Sequence, residues 1–112
     1  MTDLEVYSVL VSRVKYSDGA GSKVRPAIVV KFNNEMIRTY RVTTQYENKS
    51  DYIKSQYLEI IDWVQANLKR QSWIDTVKYY NVSNDEFNIK IIGKLSNRDI
   101  ERLKDFLKNK KI

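Results

Sequence analysis

The sequence predicts a mainly β domain with helical additions, an antiparallel meander that closes as a small barrel or curled sheet. Three observations carry this. Strand-length segments rich in Val, Ile and Tyr recur from Val6 to Leu95. Turn residues such as Asn33-Asn34 and Ser83-Asn84-Asp85 separate several of them. A clean helical period with a start signal appears after Ser96, at the C-terminal end.

Taken in order, Val6 to Tyr16 reads as a first strand. Pro26 to Phe32 is the second, and the run Ala27-Ile28-Val29-Val30 is apolar on both faces, as a central strand requires. Asn33-Asn34 supplies a tight turn into a third strand, roughly Met36 to Thr44. The middle admits two readings. Ile53, Tyr57, Ile60, Ile61, Val64 and Leu68 fall at helical spacing behind the cap candidates Ser50 and Asp51, which gives one long amphipathic helix. Alternatively Tyr57 to Ile61 is a strand and Asp62 caps a short helix from Trp63 to about Lys69. Ser72 to Val82 reads as a further strand, and Phe87 to Leu95 as a final one broken near Gly93. Ser96 then stands as an N-cap with Asp99 three positions on, and Ile100, Leu103, Phe106 and Leu107 form one apolar helix face.

At 112 residues the chain is one domain, large enough for a single core. It contains neither cysteine nor histidine, which excludes disulfides, thiolate metal sites and hydrolases that use either residue as nucleophile or base. Trp63 and Trp73 are expected in a core or an interface. No apolar run reaches bilayer length, and Met1 to Glu5 lacks a basic segment leading into a hydrophobic one, so a cytoplasmic protein is expected. The formal net charge of +6 suits an anionic partner. Arg13, Lys15, Lys23, Arg25, Lys31, Arg38 and Arg41 are interspersed with Tyr7, Tyr16, Tyr40 and Tyr46, the mixture that neutralises phosphates and stacks bases in single-stranded nucleic acid sites.

The stretch from Tyr16 to Val30 is the most informative. A polar loop containing Gly19 and Gly21 ends in Arg25, followed by Pro26 and an aliphatic strand. Pro26 suits the first position of a strand and holds Arg25 extended at its edge. By itself an arginine there is an ordinary surface residue.

The run Gly21-Ser22-Lys23-Val24-Arg25-Pro26 resembles the G-x-x-x-R-P loop of the MazF/PemK family of toxin-antitoxin system toxins, which are endoribonucleases. Val42-Thr43-Thr44-Gln45 resembles the family strand that delivers a threonine or serine. Ala66-Asn67-Leu68 through Ser72 resembles its A-G-L-x-x-x-S stretch, and Ile92-Gly93-Lys94-Leu95 its I-G-x-L ending. The resemblance covers most of the chain. It implies an SH3-like barrel of MazF/CcdB type with a short mid-chain helix and a C-terminal helix, and it favours the strand-plus-short-helix reading of the middle. It further implies a homodimer, no cofactor or metal, single-stranded RNA as substrate and an acidic cognate antitoxin as partner. Carried over, the catalytic pair falls on Arg25 and Thr43, with Thr44 the alternative if the register slips by one. Lys23, Ser22, Thr44 and Gln45 become RNA-binding candidates, and Ser72 a site candidate by position. Some members carry an acidic residue just before R-P; here Ala20, Gly21 and Ser22 stand there, and Asp18 is the nearest carboxylate and the candidate base.

Such an enzyme lets the ribose 2′-hydroxyl attack its own phosphate. It must stabilise the dianionic phosphorane, a task for the planar, permanently charged guanidinium of Arg25. Thr43 would donate to a nonbridging oxygen. Two other readings use the same fold: a gyrase-directed toxin acting through protein contacts, and a barrel that holds RNA without cutting it.

Overall fold

In the computed structural model, described for residues 4–15, 22–85 and 88–110 (at 13–15 and 22–24 for the backbone only), the apolar segments form six strands and two helices. β1 is Ser8–Lys15, β2 Ser22–Phe32, β3 Met36–Thr43, α1 Asp51–Ser55, β4 Tyr57–Ile60, β5 Ser72–Ser83, β6 Ile89–Lys94 and α2 Asn97–Asn109. The strands make one antiparallel sheet in the order β4-β5-β3-β2-β1-β6, with β4 and β6 as its two edges. Among the described residues no helix is long and apolar enough to cross a membrane.

Several expectations are corrected. Val6 and Tyr7 belong to a turn rather than to β1: Tyr7 has φ 73°, and its N–H donates to Val29 O while its own carbonyl accepts from Leu95 N. β2 begins at Ser22, so Arg25 lies inside a strand opposite Ser12, and Pro26 is not the first strand residue but stands opposite Val11. β3 pairs with β2 only from Ala27 onward, which leaves Pro26 unpaired on that side, where a missing N–H is tolerated. Thr44 falls just beyond β3. Asn33 closes the β2–β3 turn as expected, its Oδ1 accepting from the N–H groups of Glu35 and Met36.

In the middle, the strand from Tyr57 is present, one residue shorter than expected, whereas the helix from Trp63 to Lys69 is not. The helix stops for a local reason. Ala66 N bonds Asp62 O, then Leu68 N reaches back to Trp63 O and Asn67 N to Val64 O, with Asn67 at φ 63°. That is a Schellman closure after a single turn, with asparagine in the left-handed position. The mid-chain helix is instead α1, capped by Ser50, whose Oγ accepts from Ile53 N.

The sheet is buried on both faces, which is why its central strands read as continuous apolar runs. On one face Val9, Ile28, Val42, Ile74, Leu58 and Ile60 pack with Ala66, Leu95 and Leu103, joined by Trp63, Ile100, Phe106 and Leu107. On the other, Leu10, Ala27, Val29 and Ile37 pack with Leu4, Val82 and Ile89. α2 is locked to the first face by two carboxylates. Buried Asp99 accepts from Ile61 N at 3.1 Å, Asp62 N at 2.8 Å and Arg102 at 3.0 Å. Asp62, expected as a helix cap, accepts instead from the Ser96 hydroxyl and twice from Arg98. Ser96 keeps its expected role as well, its Oγ accepting from Asp99 N.

Candidate functional site

Strand register assembles a polar cluster on the second face. Ala27 stands opposite Arg41, so continuing that register by two residues sets Arg25 against Thr43. Arg41 in turn faces Asp75, Thr43 faces Trp73, and Asp75 faces Tyr57 across β4. Directly opposed residues share a face, and so do residues two apart on one strand. Arg25, Arg41, Thr43, Asp75 and Tyr57 therefore lie on one face although up to 50 positions separate them in the chain.

That face opens into a pocket of about 670 Å³, lined by Arg25, Pro26, Arg41, Val42, Thr43, Thr44, Gln45, Lys49, Tyr57, Ser72 and Asp75. Among the described residues, Arg25, Arg41 and Lys49 bring three cations there against the one carboxylate of Asp75, a balance that favours an anionic ligand. The Arg41 guanidinium lies 3.9 Å above the Tyr80 ring, which fixes its plane. β3 ends in a side-chain turn in which Thr43 Oγ1 accepts from Gln45 N at 3.0 Å. The bond uses an oxygen lone pair and leaves the hydroxyl hydrogen to be donated.

Beside this pocket, Tyr46 stacks on Trp73 at 4.8 Å and 6°, with Tyr57 tilted against Tyr46 at 6.4 Å. A small hollow of about 210 Å³ borders the stack and shares Thr44 and Gln45 with the larger pocket. Tyr57 titrates above the usual phenol range, first because burial disfavours the phenolate and then because the Asp75 carboxylate is beside it. Asp75 also bonds within its own strand, Oδ1 accepting from Val77 N at 2.9 Å.

Of the residues expected from sequence, Arg25, Thr43, Thr44 and Gln45 line one pocket. Ser72 borders it too, but its hydroxyl is buried and donates to Arg70 O at 2.8 Å, a structural role. Ser22 and Lys23 contribute backbone to β2, paired with Lys15 and Val14; their side chains lie outside the described residues, and so does all of Asp18. Trp63 packs against the core as expected, whereas Trp73 is stacked by Tyr46 beside the pocket. Sequence reasoning counted Arg41 among the basic residues without placing it, and it missed Lys49, Tyr57 and Asp75. A signal existed for Asp75, an acidic residue inside the apolar run Trp73-Ile74-Asp75-Thr76-Val77.

A second cavity of about 630 Å³ lies between α2 and β4. Its cations are engaged in architecture: Arg102 bonds Glu59 O at 2.5 Å, and Lys110 bonds Thr76 through both its carbonyl and its hydroxyl. Compared with known proteins, the chain matches no family model and no curated sequence.

Proposed function

We propose that the chain is a MazF/PemK-like toxin of a toxin-antitoxin system, a metal-independent endoribonuclease that cuts single-stranded RNA by attack of the ribose 2′-hydroxyl. The observation that carries this reading is the pocket itself, where a guanidinium and a hydroxyl from two neighbouring strands converge among further cations. Arg25 would hold the nonbridging oxygens and meet the charge that develops on them, and the Thr43 hydroxyl would donate to one of those oxygens. Arg41 and Lys49 would bind flanking phosphates, and Thr44 and Gln45 would contact the adjoining nucleotides.

Two backbone details support the family resemblance independently of the pocket. Asn67 occupies the glycine position of the A-G-L stretch and has φ 63°, the region that glycine favours. Gly93, the glycine of I-G-x-L, has no room for a Cβ, which would lie 2.6 Å from Ala66 O. The six-stranded sheet would curl as an SH3-like barrel, and the protein would act in the cytoplasm as a homodimer held in check by an acidic antitoxin that covers the basic pocket.

The test is cleavage of a long single-stranded RNA in excess EDTA by wild type, Arg25→Ala and Thr43→Ala. Wild type should leave 2′,3′-cyclic phosphate ends. Arg25→Ala should lose about 10²- to 10³-fold in rate, as expected for a removed oxyanion contact, with thermal stability unchanged. Failure of wild type to cut several diverse RNAs would leave the gyrase-directed or RNA-holding reading in its place.

A further inference from the structure

The ribonuclease mechanism needs a group that takes the 2′-hydroxyl proton, and Arg25 and Thr43 cannot serve: one stays protonated and the other is a weak base. Among the described residues, Asp75 is the carboxylate that lines the pocket. Its position follows from register. Asp75 faces Arg41 directly and Thr43 diagonally, since Thr43 pairs with Trp73 two residues along. Diagonal partners in an antiparallel pair stand roughly 7 to 8 Å apart, a gap that a ribose 2′-hydroxyl and its adjacent phosphate can span. The bond from Val77 N to Oδ1 holds the carboxylate on its own strand, at the wall of the pocket.

We propose, resting on the ribonuclease reading above, that Asp75 is the general base of the reaction and Tyr57 its positioning residue. The Asp75 carboxylate accepts the 2′ proton as the 2′ oxygen forms its bond to phosphorus. The bond from phosphorus to the 5′ oxygen breaks, and that oxygen leaves with a proton from water. Tyr57 packs against Asp75 from β4 and remains a neutral phenol at neutral pH, so it orients the carboxylate without competing for its charge.

Among the described residues, the charged and titratable groups around Asp75 are Arg41 on β3, Tyr57 on β4, Arg25 and Lys49 in the pocket lining, and Lys110 from the end of α2. Four of these five are basic side chains, so the base would work in a cationic surround that also draws RNA phosphates in. The neighbourhood of Lys110 is reciprocal: its amine is pushed down by burial and pulled back up by Asp75.

Single-turnover cleavage of a long single-stranded RNA in excess EDTA, followed from about pH 4 to pH 8 for wild type and Asp75→Asn, tests the assignment. Wild type should show a limb of unit slope that levels off above a carboxylate pKa. Asp75→Asn keeps Oδ1 for Val77 and should lose the limb and about 10²-fold in rate at neutral pH, with RNA binding by fluorescence anisotropy within about twofold. Cleavage by Asp75→Asn within about threefold of wild type, or survival of its acid limb, overturns the assignment while a defective Arg25→Ala leaves the ribonuclease reading standing. A wild-type profile flat through the carboxylate range overturns it even if the variant does not fold. Absence of wild-type cleavage overturns both.

Discussion

The two faces of the sheet hold charge in opposite situations. Where α2 docks, Asp99 and Asp62 are saturated by backbone N–H groups, a serine hydroxyl and two arginines, and Asp99 is fully enclosed. On the opposite face, Arg25, Arg41 and Lys49 line open volume. A charge enclosed on all sides joins elements of the fold; a charge that borders a cavity, whatever else it contacts, can be reached by a ligand. The difference predicts that substitutions at the dock change stability and leave chemistry per folded molecule intact, while substitutions at the pocket do the reverse. Arg25→Ala is the strongest case on the pocket side, and the dock supplies the counterparts.

Asp99→Ala should have the largest effect there. It orphans the N–H groups of Ile61 and Asp62 and leaves Arg102 without its carboxylate, and losses of this kind amount to about 3 kcal/mol. Urea unfolding reads the loss. Cleavage per folded molecule should stay near wild type, and a defect comparable to Arg25→Ala would collapse the distinction between the two faces.

Gly93→Ala comes next. β6 passes so close to the turn at Ala66 that an added methyl must displace backbone rather than a flexible side chain, at a cost of roughly 1 to 3 kcal/mol. Asn67 holds the same contact from the other side, donating from Nδ2 to Ile92 O at 2.6 Å. An unchanged urea midpoint would show that the turn moves freely and that the dock is less rigid than its hydrogen bonds indicate.

Much of the dock was legible in the sequence because its signals are local. Ser96 followed by Asp99, and the spacing of Ile100, Leu103, Phe106 and Leu107, define α2 within a dozen residues. The role of Asp62 was not legible, since its partners Ser96 and Arg98 come from more than 30 residues away. The same limit applied to the pocket. Arg25 and Thr43 were found through family-like motifs, but Tyr57 and Asp75 enter it through the pairing of β4 with β5 and of β5 with β3, which no single segment encodes. The length of β2 was misjudged for a related reason: Pro26 reads as a strand start, yet it is accommodated inside the strand because β3 has not yet begun to pair there.

The smallest expected effect is electrostatic and sharpens the comparison by pH. Asp62 ionises below the usual carboxylate range, chiefly because Arg98 donates to it and secondly because Ser96 does. Its unfolded counterpart titrates at about 4, so the pair's contribution is fully present above that value and is lost as pH falls through the lower native one. Arg98 stays charged throughout, with its own pKa raised by the same partner. The Arg98 side chain is 59 % exposed, so the effect is that of a solvent-screened surface pair. Arg98→Ala should therefore unfold at slightly lower urea than wild type at neutral pH, and the gap should close as the solution is acidified below about pH 4. High salt should narrow the gap at neutral pH as well. A gap that persists unchanged into strong acid would mean that Arg98 acts through the packing of its aliphatic stem rather than through Asp62, and the dock would then owe less to charge than its geometry implies.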